Sequence, residues 1–160
     1  MVQLETPPHT YQVELVEVPR QPYVAVRATI RMSDIAERMS GLFEQLFGWL
    51  AQHQVPPTGE PWARYLAVGP DEVEVEVAAP VAAPVAVNGS VISGVRPACS
   101  AARTLHIGPY DTLEAAYTAV IEWVASQGKA VSGAMWESYE SDPQIEPNPA
   151  KWRTWVYYPV

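Results

Sequence analysis

From Ile35 to Leu50 the apolar residues fall at 35, 39, 42, 43, 46 and 50, the spacing of one buried helical face. This predicts a helix over about Asp34–His53, with Asp34 and Glu37 as a capping box and Pro56-Pro57-Thr58-Gly59 stopping it. The flanking segments read as strands. Tyr11–Val18 and Pro22–Ile30 are rich in Val and Tyr and are separated by a Pro19–Pro22 turn. Trp62–Val68 and Glu72–Ala78 are joined by Gly69-Pro70-Asp71. Val73, Val75 and Val77 alternate with Glu72, Glu74 and Glu76, so the valines face a core. The same order of elements then returns: a strand at Ala101–Ile107, the turn Gly108-Pro109-Tyr110, and a helix capped by Asp111 with Glu114 and ended by Gly128. Strands follow at Ala134–Ser141 and Trp152–Tyr158, separated by a loop over Asp142–Ala150. The linker Ala79–Ala98 is rich in Ala, Pro and Gly, and Ala86–Val95 within it reads as a further strand.

The return is a duplication. A constant offset of 74 places Trp49 on Trp123, Gly59 on Gly133, Trp62 on Trp136 and Tyr65 on Tyr139. The helices align at the same offset: Met39, Leu42, Phe43, Leu46, Phe47 and Leu50 fall on Leu113, Ala116, Tyr117, Val120, Ile121 and Val124. At the ends of the copies, Pro80-Val81 and Pro159-Val160 are offset by 79, the longer second hairpin absorbing the difference. The expected architecture is α+β: two strand–helix–strand–strand units, about 11–81 and 86–160, in one domain over 1–160. They form a curved antiparallel sheet with two long helices and a central pocket between the repeats.

The 160 residues suffice for one real core, and 48% hydrophobic against 18% charged residues excludes a disordered chain. The formal charge of −8, with only ten Lys and Arg, argues against direct nucleic-acid binding, which needs a basic face. The longest apolar tract, Val77–Val87, is about half a membrane span and carries Pro80 and Pro84, so no membrane partner is expected. No signal peptide is evident in Met1–Glu5, and a cytoplasmic protein is the default expectation. The single Cys99 allows no internal disulfide and reads as inert, while His9, His53 and His106 lack metal-ligand spacing. No metal or cofactor is expected. His106 reads as structural rather than as a catalytic base. The outlying feature is six Trp and eight Tyr beside two Phe. These side chains carry polar handles, so some of them are expected to face a cavity or interface.

Comparing the copies locates candidate chemistry. Ala63 in the first copy corresponds to Glu137 in the second. Glu137 shares a strand face with Tyr139, two residues on. Burying its charge among Trp and Tyr is costly without compensation, which a cationic ligand would supply. A solvated carboxylate, or one paired with Arg64 or Arg153, is the competing reading. At the offset of 79, Trp155 and Tyr157 fall on Glu76 and Ala78, which suggests the sheet face away from the helices. A pocket, a solvent-facing edge or a dimer contact would each account for them.

The set His106-x-Gly108-x-Tyr110-x-x-Leu113-x-x-x-Tyr117, Trp123, Gly133-x-x-Trp136-Glu137-x-Tyr139 and the terminal Pro159-Val160 resembles the GyrI-like small-molecule-binding domain. The early Val13–Pro19 stretch, with Tyr23–Arg27, resembles that family's opening strands. The same domain forms the effector-binding part of some AraC-type and MerR-type regulators. The resemblance implies a tandem of two units around a pocket that, in multidrug-binding members, holds lipophilic cations against aromatics and a central glutamate. That glutamate falls on Glu137 and its companion tyrosine on Tyr139. Trp136, Tyr65, Tyr110, Trp155 and Tyr157 complete the expected ligand-binding set by motif position and strand parity. With only about ten residues before the first strand, a helix-turn-helix is not expected.

Three functions follow. The first is binding of diverse bulky lipophilic cations, for sensing or sequestration. The second is hydrolysis of electrophilic, cyclopropane-bearing toxins, with Glu137 as general base or acid and Tyr139 donating to an oxyanion. The third is a gyrase-inhibitor-type module that acts on a protein partner.

Overall fold

The computed structural model describes residues 11–66, 69–143 and 145–160. His9 and the predicted strand end at Val68 lie outside them. The elements are β1 (Glu14–Val18), β2 (Gln21–Arg31), α1 (Ile35–Gln52), β3 (Trp62–Leu66), β4 (Glu72–Pro80), β5 (Val91–Arg96), β6 (Cys99–Ile107), α2 (Glu114–Ser126), β7 (Trp136–Tyr139) and β8 (Arg153–Pro159). The fold is α+β, a curled antiparallel sheet of eight strands in the order β1-β6-β8-β7-β3-β4-β2-β5, with two helices.

The sheet carries the duplication in its registers. β3 and β7 meet at its centre, where Ala63 pairs with Glu137, two residues separated by the repeat offset of 74. The pairs on either side, Trp62 with Ser138 and Arg64 with Trp136, exchange under the same offset. A pseudo-two-fold axis therefore runs through the Ala63–Glu137 pair. At the edges, Val18 pairs with Cys99 and Ala25 with Ile92, again exchanged by 74.

That edge arrangement departs from a simple reading of the sequence. β1 does not fold back on β2 across the Pro19–Pro22 turn. It adds to β6 of the second copy, while β5, which opens the second copy, adds to β2 of the first. Each copy thus completes the other's sheet. The linker strand starts later than the pattern suggested, at Val91.

Both helices pack on one face. Leu42, Leu46 and Leu50 of α1 close over Val24, Val26, Ile30, Ala63, Val73, Val75 and Val77. Leu113, Ala116, Val120 and Val124 of the second copy close over Ala102, Val156 and Tyr158. The opposite, open face buries its own layer: Tyr23, Ala25, Trp62, Ala78, Ala101 and Trp136. The valines of β4 point to the helices as expected. Glu76, expected on a polar outer face, is nonetheless fully buried, because Arg27 Nε at 2.7 Å and Arg64 Nη2 at 2.8 Å close over it.

Neither helix uses a capping box. Each is entered through a 3-10 turn, Met32–Asp34 or Tyr110–Thr112, and no N-cap side chain bonds back. Side-chain capping requires an extended N-cap residue. Asp34 (φ −105, ψ 0) and Leu113 (φ −62, ψ −25) are already turned. The helix ends are alike. Gln54 and Val55 donate to Ala51 and Leu50, and Gly128 and Lys129 donate to Ala125 and Val124, the paired bonds of a Schellman motif. Gln54 (φ 54) thus ends α1 ahead of the prolines, in a conformation that Gly128 (φ 70) adopts without Cβ strain.

Gly94 of β5 lies opposite Tyr23. A Cβ there would sit 2.7 Å from the tyrosine Cζ and hydroxyl. Gly94→Ala is expected to destabilise the fold by about 1–3 kcal/mol through overpacking. Urea unfolding checks this: the loss should shrink in a Tyr23→Leu background, and a penalty unchanged there would show the ring is not its cause.

Candidate functional site

Glu137 stands at the centre of the sheet, on its helix face, 2% exposed. The alternation of β7 sends Trp136 and Ser138 to the open face and Glu137 and Tyr139 toward the helices. Three tyrosyl hydroxyls donate to the carboxylate. Tyr139 (2.8 Å) and Tyr65 (3.3 Å) reach Oε1, and Tyr117 of α2 reaches Oε2. Tyr65 and Tyr139 are repeat equivalents, one on each side of the axis. Tyr117 stands where the first copy has Phe43.

No cation neutralises this carboxylate among the described residues. Arg64 is committed to Glu76 and Arg153 to Glu140, at 2.8 and 2.7 Å. Burial pushes the Glu137 carboxyl up to about 7, against the pull of the Tyr139 and Tyr65 hydrogen bonds. Tyr65 and Tyr139 are themselves driven up, first by burial and then by the negative charge of Glu137. Tyr110 is raised to about 12 by the same two causes, with Asp142 adding to them. The site is a buried carboxyl walled by rings.

The rings extend outward from Tyr139. Phe43 meets it edge-on at 5.6 Å and Tyr110 at 5.8 Å, and Trp152 lies 4.7 Å beyond Tyr110. Phe47 continues the wall from Phe43 at 6.1 Å. Tyr110 and Phe47 are each 37% exposed and form the rim.

Of the seven sequence-expected ligand-binding residues, the structure brings four together: Glu137, Tyr139, Tyr65 and Tyr110. Trp136, Trp155 and Tyr157 lie on the other side of the sheet. Trp136 stacks on Tyr157 at 4.9 Å, and Trp155 donates to Glu140 at 2.7 Å beneath the Arg103 guanidinium. Their parity pointed away from the helices, whereas that of Glu137 points toward them, so one pocket does not hold both groups. The sequence reading passed over Tyr117, Phe43 and Trp152 as site residues. The Phe43/Tyr117 mismatch between copies was the available signal, since a hydroxyl added on a core-facing helical position needs an acceptor.

His106 is fully buried, bonded to Tyr11 Oη, Pro109 O and Thr112 Oγ1, and so ties the end of β6 to the turn before α2. Burial raises the Cys99 thiol, in keeping with an unreactive sulfur. Among the described residues no cluster of His, Cys, Asp and Glu fits a metal ion, and no helix is long and apolar enough to cross a membrane.

The curled antiparallel sheet with two helices is the fold of a class of small-molecule-binding domains. The chain belongs to the GyrI-like small molecule binding domain family, whose model matches residues 11–160. Solved structures share the fold. The C-terminal domain of EcmrR superposes with a TM-score of 0.81 at 24% identity, covering 95% of this chain and 98% of that one. In the EcmrR–DNA complex the TM-score is 0.85 at 24% identity over 94% of this chain, which spans only 57% of the EcmrR chain. SAV2435 bound to tetraphenylphosphonium has a TM-score of 0.63 at 10% identity, covering 95% of this chain and 94% of that one. A hydrolase encoded by lin2189 from Listeria innocua has a TM-score of 0.63 at 15% identity, covering 93% of this chain and 91% of that one. No curated protein matches the chain.

The raised carboxyl has a consequence for stability. The folded protein holds the Glu137 proton up to about pH 7, while the unfolded chain releases it near 4.5. Between those values the folded state binds more protons, so stability falls as pH rises, by roughly 3 kcal/mol in all. Glu137→Gln removes that slope. In urea unfolding at pH 5 and pH 8, the variant should gain about 2–3 kcal/mol on the native protein between the two conditions. An equal difference at both pH values would place the Glu137 pKa in the ordinary range.

Proposed function

We propose that this domain binds bulky lipophilic cations, with Glu137 as the charge partner and Tyr65, Tyr110, Tyr117 and Tyr139 as the aromatic walls, for sensing or sequestration. The observation that carries the reading is a buried carboxylate that, among the described residues, is held only by tyrosyl hydroxyls. Hydrogen bonds stabilise it, but they leave its net charge uncompensated within a low-dielectric setting. A cation entering between the rings supplies that compensation, and each ring face adds roughly 0.5–2 kcal/mol. Stacking and charge attraction need little directional fit, which suits ligands of varied shape. The likeness to SAV2435, solved with the lipophilic cation tetraphenylphosphonium, supports the ligand class. The likeness to EcmrR supports a role beside transcription regulation. Because Glu137 is almost closed off, entry requires the rim at Tyr110, Trp152 and Phe47 to part.

Hydrolysis of electrophilic small molecules is a second reading, favoured by one observation: a carboxyl that titrates near neutrality is suited to acid–base catalysis. Product formation, followed by mass spectrometry on cyclopropane-bearing substrates, separates it from simple binding.

Titration with tetraphenylphosphonium and with neutral triphenylphosphine oxide, followed by Trp fluorescence, tests the proposal. The cation should bind in the micromolar range and weaken at least tenfold, about 1.4 kcal/mol, in Glu137→Gln at pH 8. Binding displaces the Glu137 proton, so affinity in the native protein should fall up to about tenfold per pH unit below 7. The variant should show no such dependence. Equal binding of the cation and the neutral compound would remove Glu137 as a charge partner.

A further inference from the structure

The open face of the sheet carries a cleft of about 430 Å³, whose lining includes Trp62, Trp136, Ser138, Tyr157, Arg96 and Arg103. Its origin lies in how the two copies differ. In the first copy this face is filled by Arg64 paired with Glu76, neighbours across β3 and β4. The equivalent neighbours across β7 and β8 are Ser138 and Trp155. A short hydroxyl replaces a long charged side chain, and the space beside it stays open.

The floor is aromatic. Trp62 and Trp136 are repeat equivalents, and Tyr157 stacks flat on Trp136, with 7° between the planes. Arg96, at the end of β5, lies with its guanidinium carbon 4.4 Å from the Trp62 ring and 4.9 Å from that of Trp136. It has no carboxylate partner among the described residues, and its Nε is buried without a hydrogen bond. Burial works against its charge. Arg103 also lines the cleft, fixed by Glu14 at 2.7 Å and by the Tyr157 hydroxyl at 3.0 Å. Glu17 and Glu60 also line the cleft. Glu17 accepts from Ser100, and burial, with the nearby Glu140 charge, pushes the Glu60 carboxyl up.

We propose that this cleft is a second ligand site, of opposite polarity to the Glu137 site, for a planar aromatic carboxylate. The ring enters beside Ser138 against the half-buried Tyr157, since Trp136 is already covered by Tyr157 and Arg96, and the carboxylate receives hydrogen bonds from the Arg96 guanidinium, whose planar fork matches two carboxylate oxygens. Ser138 marks the depth to which the ring reaches. The volume suits a bicyclic acid and falls in the range of small-molecule sites. The two faces of one sheet would then read opposite charges.

Isothermal titration calorimetry with 2-naphthoate and with neutral 2-naphthylmethanol tests this on the full chain. The acid should bind with a submillimolar Kd and the alcohol at least tenfold more weakly. Arg96→Met keeps the apolar stem over the tryptophans and should cost tenfold or more. Ser138→Phe fills the cleft without altering charge and should abolish binding. Glu137→Gln should leave naphthoate affinity unchanged, and Arg96→Met should leave tetraphenylphosphonium titration unchanged, which also confirms that the variant is folded. No heat at millimolar naphthoate, or an Arg96→Met affinity within twofold of native, would overturn the proposal, as would loss of naphthoate binding in Glu137→Gln alone.

Discussion

The antiparallel pairing of β3 with β7 is the contact on which the molecule turns. It joins the sheets of the two copies into one surface, fixes the pseudo-two-fold axis, and sets Ala63 opposite Glu137 on that axis. Everything at the centre follows from this register. A slip of one residue would carry Glu137 to the open face and Trp136 to the helix face, dismantling both aromatic clusters at once. The flanking hairpins β3–β4 and β7–β8 and the crossed edge strands hold the register from both sides.

Two glutamates are buried in this sheet, and they are treated differently. Glu76 on the open face is closed over by Arg27 and Arg64. Glu137 on the helix face has, among the described residues, only tyrosyl hydroxyls. An ion pair satisfies a buried charge and leaves it inert toward ligands. Neutral donors satisfy the lone pairs but leave the charge, and the raised carboxyl pKa is the expression of that imbalance. The contrast separates an acid held in an ion pair from one whose charge is left to neutral donors, the feature on which the proposed cation site rests.

Much of this was legible in the residues. The apolar spacing placed the first helix, the repeat offset of 74 carried it to the second and matched Ala63 with Glu137, and the valine–glutamate alternation oriented β4. Glu137 was found because its counterpart is Ala63, and Tyr65 and Tyr139 because they match. What stayed hidden depends on long-range pairing. Nothing local in Glu14–Val18 says that it will add to β6 rather than to its neighbour β2. Trp136, Trp155 and Tyr157 join Glu137 in the expected set by motif position, and their parity, read alone, points to the opposite face, where the register of β7 on β8 puts them. The capping signatures misled because an acidic residue near a helix start caps it only if its own backbone is extended.

The exchanged edge strands carry a further meaning for how such a molecule could arise. A single half lacks the strand that borders its own sheet, so it is the natural protomer of a swapped homodimer. In such a dimer the axis would be exact, and any residue at position 137 would face its own copy. A glutamate there would confront a second glutamate across a cross-strand pair, with Cβ atoms about 4.5–5.5 Å apart. Two like charges at that distance, both buried, would not ionise together. Fusing the halves into one chain removes that prohibition, since one copy can hold alanine while the other holds the acid. Asymmetry at the axis is thus what covalent linkage makes possible: a lone carboxylate at a point of near-perfect symmetry.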